Sequence, residues 1–276
     1  MSREGFSTEH PDFKAVMQRA ESGDAGSQFE LAVFYQLGVF GVQDNEKAIE
    51  WFRKAALQGM VEAQFFLGVF LSELNRYPEA LKWFHEAVKQ DYTQAMATLA
   101  NLYYYGKGVK QNYEEAAKWN RKAALLGDPE AQTNLGHQYY KGLGVEQDYI
   151  EAFYWMSKAA DQEYEAAQYN LALMYLKGHG VESSFEAAKK WLGESADLDY
   201  VDAQFLLGKL LYKFPDSELD LEMAYYWLLF AAKNGHEEAI ELRDEVVKKL
   251  TKEQKERAEK GFALWHDVDE EEDDRD

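Results

Sequence analysis

Apolar and polar residues follow a helical period along this chain, and the pattern itself recurs. Between Ala131 and Ala160, Ala131, Leu135 and Tyr139 fall at i, i+4 and i+8. Ala152, Trp155 and Ala159 then fall at i, i+3 and i+7. Each set is a stripe down one face of a helix. Between them, Gly142-Leu-Gly144-Val145 predicts a loop whose glycines take positive φ. The unit is helix A, glycine loop, helix B. The small residue that opens it stands at Ser27, Ala63, Ala95, Ala131, Ala167, Ala203 and Ala239, in steps of 36, 32, 36, 36, 36 and 36 residues. Six of the seven tryptophans share one place in helix B: Trp51, Trp83, Trp119, Trp155, Trp191 and Trp227. A fixed period of about 20–50 residues predicts a stacked repeat architecture. The tryptophans, set among small neighbours such as Ala48, Ala80, Ala116, Ala152, Ala188 and Ala224, are expected in the core.

The unit boundaries carry their own punctuation. Gly23, Gly59, Gly127 and Gly235 lie four residues before the next unit, where a glycine ends a helix. Asp91, Glu163 and Asp199 hold that place elsewhere, which predicts turns built differently. The second unit lacks the glycine loop, and Leu71–Ala80 joins its helices four residues sooner. The first carries its second glycine one place late, at Gly41, and the sixth replaces the loop with Phe214-Pro-Asp-Ser-Glu218. Local curvature is expected to change near residues 72–79 and 213–220.

The exposed ends of a stack need covering. Pro11 opens a helix with Phe13, Val16, Met17 and Ala20 on one face, a cap over 11–23. At the other end Ala239, Leu242 and Val246 form the last full stripe. Thr251-Lys-Glu-Gln254 is a capping-box pattern, followed by Ala258, Phe262 and Trp265, giving a cap over 239–266.

Ala-Gln, Leu-Gly, Tyr, Gly-x-Gly-Val, an alanine before Trp, and Lys-Ala-Ala recur at this period. In combination they resemble the SEL-one-like repeat family, a relative of the tetratricopeptide repeats. The resemblance covers residues 12 to 266. It implies an all-α, right-handed superhelical solenoid of about six helix pairs with terminal cap helices. It also implies a scaffold or adaptor role, often in bacterial signalling, secretion or host contact. The expected organisation is a flexible N-terminus over 1–10, one repeat solenoid over 11–266 with units starting near 27, 63, 95, 131, 167 and 203, and an acidic disordered tail over 267–276.

Composition narrows the function. The chain has 276 residues and a net charge of −20, from 50 acidic and 30 basic residues. That disfavours a duplex nucleic acid or an anionic membrane as partner. No cysteine is present, so neither disulfides nor a thiolate metal site are expected. The polar start, Met1 to His10, lacks the apolar stretch of a secretory signal, and no apolar run is long enough to span a membrane. A cytoplasmic monomer is expected, with export that uses no cleavable signal as the alternative. The tail from Asp267 to Asp276 holds eight acids and one arginine, net −7. Such a run repels itself and solvates, or serves as a docking or export signal.

Catalytic signatures are missing. There is no Gly-x-Ser-x-Gly, Ser-x-x-Lys or His-Glu-x-x-His. The Gly-x-Gly loops recur in register without a preceding strand, so they read as turns and not as phosphate cradles. No enzyme activity, cofactor or metal is expected.

The resemblance to tetratricopeptide repeats places the partner-binding groove along helix A. The positions assigned to it are Phe29, Phe65, Asn101, Tyr104, His137, Tyr140, Lys141, Tyr169, Lys177, Phe205, Lys209, Tyr212 and Lys213, with Ala97, Thr133 and Leu173 among their neighbours. The first half of this strip has no basic residue. The second interleaves aromatics with lysines, against the sign of the whole chain. Aromatic anchors with charged steering suit a peptide or protein segment carrying acidic or C-terminal carboxylate groups. Asn101, able to donate and accept, suits a peptide backbone. A secreted bacterial effector engaging a host protein is an alternative within this class. A carbohydrate- or peptidoglycan-binding or -modifying protein is one outside it.

Overall fold

The computed structural model describes the backbone of residues 10–273 and the side chains of residues 10–264. All regular structure among these is helical. A cap helix, α1 (Pro11–Glu21), precedes six helix pairs. The pairs are α2 (Ala25–Leu37) with α3 (Asn45–Leu57), α4 (Val61–Glu73) with α5 (Tyr77–Val88), and α6 (Thr93–Tyr105) with α7 (Tyr113–Leu125). They continue with α8 (Pro129–Lys141) and α9 (Tyr149–Ala160), α10 (Glu165–Lys177) and α11 (Phe185–Asp197), and α12 (Val201–Lys213) and α13 (Glu218–Lys233). Two further helices close the chain, α14 (Glu237–Val246) and α15 (Lys252–Asp273). Residues fall into two compact units. The first runs to Ala131 and includes Leu143–Val145; the second comprises Gln132–Gly142 and the chain from Glu146 onward. In the first, consecutive helices from α1 to α7 pack on one another; in the second, those from α9 to α14 do, and α15 packs on α13.

The Ala-Gln pair that opens helix A has a structural purpose. Helix B ends with carbonyls that lack a donor four residues on and accept from the N–H groups of the turn. The buried amides of Gln28, Gln64, Gln168 and Gln204 donate to such carbonyls in the preceding repeat: those of Ala20, Ala56, Ala160 and Ala196, at 3.0 to 3.4 Å. A second glutamine, at the end of helix B in the same repeat, closes the circuit. Gln58, Gln90 and Gln162 donate to the side-chain oxygens of Gln28, Gln64 and Gln132 at 2.8 to 2.9 Å. The third repeat drops both members together, with Met96 and Leu126 in their places. The last two drop only the second, where Leu198 and Asn234 stand. The side-chain oxygens of Gln168 and Gln204 are accordingly buried without a hydrogen-bond partner.

Close packing within a pair rests on the glycine of Leu-Gly. A Cβ at Gly68 would strike the Phe84 ring, and one at Gly208 would strike Leu228. The loop glycines act between pairs. Gly180 has φ +75°, and a Cβ there would collide with the Tyr149 carbonyl of the preceding helix B. Helix B starts at a side-chain cap: Asp44, Asn112, Asp148 and Ser184 each accept from backbone N–H groups of the first turn.

Four of the ladder tryptophans are buried: Trp51, Trp119, Trp155 and Trp227. Trp83 and Trp191 are half-buried, so the core assignment holds only in part. Trp83 borders a surface opening with Arg53, Glu79, Lys82 and Glu86. Lysine ammonium groups lie over the rings of Trp51 and Trp119, 3.6 and 4.4 Å from the ring centre.

One expectation needs correction. The turns at Asp91, Glu163 and Asp199 are built as the glycine turns are, with φ of 56°, 60° and 61°. The turn geometry prevails over the residue preference because it closes the helix; at Glu163 the N–H donates back to the Ala160 carbonyl. The His10 ring nitrogen accepts from the Asp12 N–H at the start of α1. Helix α15 runs to Asp273. Glutamates are good helix formers, and Glu270, Glu271 and Glu272 extend a helix already begun. Residues 1–9 and 274–276, and the side chain of Trp265, lie outside what is described.

The terminal cap otherwise follows the pattern. Thr251 and Gln254 exchange the reciprocal bonds of a capping box. Phe262 meets the Phe230 ring at 4.8 Å, and Arg257 pairs with the buried Glu222 at 2.6 Å.

Two predictions follow from this packing. Leu198→Gln supplies the missing donor to Gln168, and Leu198 is 44% exposed, so little apolar burial is lost. Thermal unfolding should show a stabilisation of about 1 kcal/mol; an unchanged or lower Tm contradicts the pairing. Gly180→Ala combines left-handed strain with a backbone collision, whereas Gly59→Ala meets nothing within 4 Å. Denaturant unfolding should show Gly180→Ala losing at least about 2 kcal/mol more than Gly59→Ala. Equal losses would contradict a close approach at Gly180.

Candidate functional site

In the first unit the predicted strip is aromatic and largely self-packed. The Phe29 ring meets Phe52 and Phe66, each at 5.5 Å. Phe65 meets Tyr92 at 5.2 Å and Phe84 at 6.1 Å. Tyr104 lies edge-on to Tyr113 of helix B at 5.1 Å, and its hydroxyl is pushed up from its ordinary pKa, first by burial. Asn101 is half-buried in α6. Ala97 here and Thr133 in the second unit, which the register put in the strip, are buried.

The second unit holds the charged part. On α8 and α10, His137, Tyr140, Lys141 and Lys177 surround a pocket of about 250 Å³. Asn170 and Leu173 complete its wall, with Met156 from α9 and Met174 from α10. Both lysines are exposed, and no carboxylate is among the described residues that line the pocket. The Tyr140 hydroxyl is held between His179 Nδ1, at 2.9 Å, and Lys177 Nζ, at 3.4 Å. His179 in turn stacks on the Tyr149 ring at 4.3 Å. The pocket wall is thus fixed by a hydrogen-bonded and stacked cluster.

Elsewhere the predicted residues are already engaged. The Tyr169 ring packs on Tyr200 at 5.2 Å, and burial with the nearby Asp202 raises its hydroxyl pKa. Phe205 stacks on His236 at 4.0 Å. Lys209 lies over the Phe205 ring and pairs with Glu238 at 3.7 Å. Tyr212 donates to Glu245 of α14, with Lys249 Nζ 4.5 Å from its ring centre. Lys213 is exposed at the end of α12. The four lysines therefore do not form one equivalent strip: Lys141 and Lys177 meet at the pocket, while Lys209 is partnered by the terminal helices.

Register alone could not find Met156 or His179, because it treats helix B and the loops as framework, nor Asn170 and Met174, which lie on α10 outside the positions assigned to the strip. One signal was available. His179 is the variable residue of a Gly-x-Gly loop, where Lys107 and Leu143 stand in the neighbouring repeats.

Among the described residues no group of three or more histidines and carboxylates is placed to hold a metal ion. None of their helices is long and apolar enough to cross a membrane.

Known proteins share the repeat and the fold. The Sel1 repeat model matches six consecutive stretches, at residues 25–60, 61–92, 93–128, 129–164, 165–200 and 201–236. No curated protein matches the chain. Among solved structures, the Sel1 repeat protein from Oxalobacter formigenes is 29% identical, with a TM-score of 0.65. The match covers 81% of this chain and 88% of that one. The protein c5321, a protective antigen present in uropathogenic Escherichia coli strains and displaying an SLR fold, is 27% identical, with a TM-score of 0.52. There the match covers 91% of this chain and only 64% of that one. A repeat protein from Cytophaga hutchinsonii, at 14% identity and a TM-score of 0.54, shares the fold alone.

The pocket makes a titration prediction. Burial, and then the Lys141 charge, hold the His137 imidazole below its ordinary value of 6.5. The unfolded chain therefore binds the proton first as pH falls, so this residue's contribution to stability declines below pH 6.5. Lys177 and the Tyr140 hydroxyl also face the pocket, and its described lining includes no carboxylate. NMR titration of the His137 ring should give a midpoint below 6.5 that rises in Lys141→Gln. A midpoint at or above 6.5 would contradict a buried, cationic setting.

Proposed function

The chain belongs to the Sel1 repeat family, and we propose that it is a binding scaffold whose helix-A face around Lys141 and Lys177 takes an acidic segment of a protein or peptide. Proteins of this family commonly mediate protein–protein interaction, on a repeat fold that is typically not enzymatic. One observation carries the finer reading. On a chain of net charge −20, two exposed lysines and a histidine converge on a pocket whose described lining includes no carboxylate. An acidic segment is steered there by charge and held by the aromatic and methionine surface beneath. The first unit offers Phe29, Phe65, Asn101 and Tyr104 as uncharged contact residues on the same helix-A positions. The role is that of an adaptor, and a bacterial origin fits the Oxalobacter and Escherichia relatives.

Fluorescence anisotropy with matched acidic and basic peptides tests the reading. Acidic peptides should bind roughly tenfold or more tightly than basic ones at low salt. Lys141→Glu with Lys177→Glu should remove that preference while the melting temperature stays unchanged. An undiminished preference in the double variant would reject this face as the binding site.

A further inference from the structure

Resting on that reading, we propose that the pocket of α8, α9 and α10 is a subsite for the C-terminal residue of a partner polypeptide, one with a free carboxylate and an apolar side chain. Its size is the first argument. At about 250 Å³ it is smaller than the roughly 300–1,000 Å³ of a small-molecule site and suits one side chain.

The second argument is the order of its chemistry from floor to rim. Met156, Leu173 and Met174 supply apolar, adaptable lining. Lys141 and Lys177, one from each helix A, are exposed and stand where the pocket meets solvent. A C-terminal residue carries its carboxylate and its side chain on the same Cα. It can therefore place charge at the rim and an apolar group on the floor together. An aspartate or glutamate within a chain carries its charge at the far end of the side chain. Seated in this pocket, it would bring a carboxylate onto the methionines, at a desolvation cost; left at the rim, it would leave the floor unfilled.

The third argument is preorganisation. Tyr140 is held by His179 and Lys177 before any ligand arrives, so little ordering remains to be done on binding. Asn170, which spends one amide proton on the Ala166 carbonyl, keeps a carboxamide oxygen able to accept the last peptide N–H. His137, held neutral at neutral pH by burial and Lys141, gains a reason to protonate when a carboxylate enters, so affinity should rise as pH falls through the range below 6.5.

Three fluorescein-labelled probes test this on the full chain: Gly-Ser-Gly-Ser-Gly-Leu with a free carboxylate, the same peptide amidated, and an amidated Gly-Ser-Glu-Ser-Gly-Leu with an internal acid. The free-carboxylate probe should bind roughly tenfold or more tightly than either amide. Replacing its last leucine by glycine should weaken it further. Lys141→Gln with Lys177→Gln should abolish the difference between free and amidated forms. The wild-type comparison decides even if that variant fails to fold. Equal binding of the free and amidated peptides would overturn the proposal, as would no binding of the free peptide up to about 1 mM. Preference for the internal acid over the free terminus would overturn it too, while leaving the acidic-segment reading standing. Indifference to every acidic probe would remove both.

Discussion

The last carbonyls of a helix lack the donor four residues on, and those of Ala20, Ala56, Ala160 and Ala196 accept instead from the turn N–H groups of Gly23, Gly59, Glu163 and Asp199. A further hydrogen bond at such a site contributes roughly 0.5–1.5 kcal/mol net. The glutamine beside the opening alanine of helix A gives each of these four carbonyls a second donor, from the next repeat. It also fixes the separation and rotation of consecutive repeats, because the bond reaches only if helix A sits directly over the preceding helix end. The glycines of Leu-Gly and Gly-x-Gly then make room for the approach that the glutamine demands.

The same constraint explains which parts of the fold were legible in the sequence. Alanine, tryptophan and glycine positions recur, so the helix pairs could be read from the period, and both caps from their apolar stripes, Pro11 and the Thr251–Gln254 capping box. The turns at Asp91, Glu163 and Asp199 could not, because a hydrogen-bonding requirement of the helix end holds a non-glycine residue in left-handed geometry. Nor could the two half-exposed tryptophans: register gives a residue's place in the helix but not how fully the neighbouring repeat covers it.

The site divides along a similar line. The helix-A register brought His137, Tyr140, Lys141 and Lys177 to attention, and these four share one pocket. It also gathered Lys209 and Tyr212, which α14 already engages through Glu238 and Glu245. The pocket floor is built from Met156 on helix B and from Met174, neither of which belongs to the exposed stripe. The non-repeating residues on α8, α9 and α10 give this one place a distinct charge and depth.

The central claim is that this place, and not the outer helix-B surface, meets the partner. Methyl NMR of methionine-labelled protein during titration with an acidic, free-carboxylate peptide tests it directly. The account predicts that the Met156 and Met174 methyl signals shift in a saturable way while that of Met60 stays put. Shifts confined to Met60 or other methyls, with Met156 and Met174 unmoved at saturation, would contradict it.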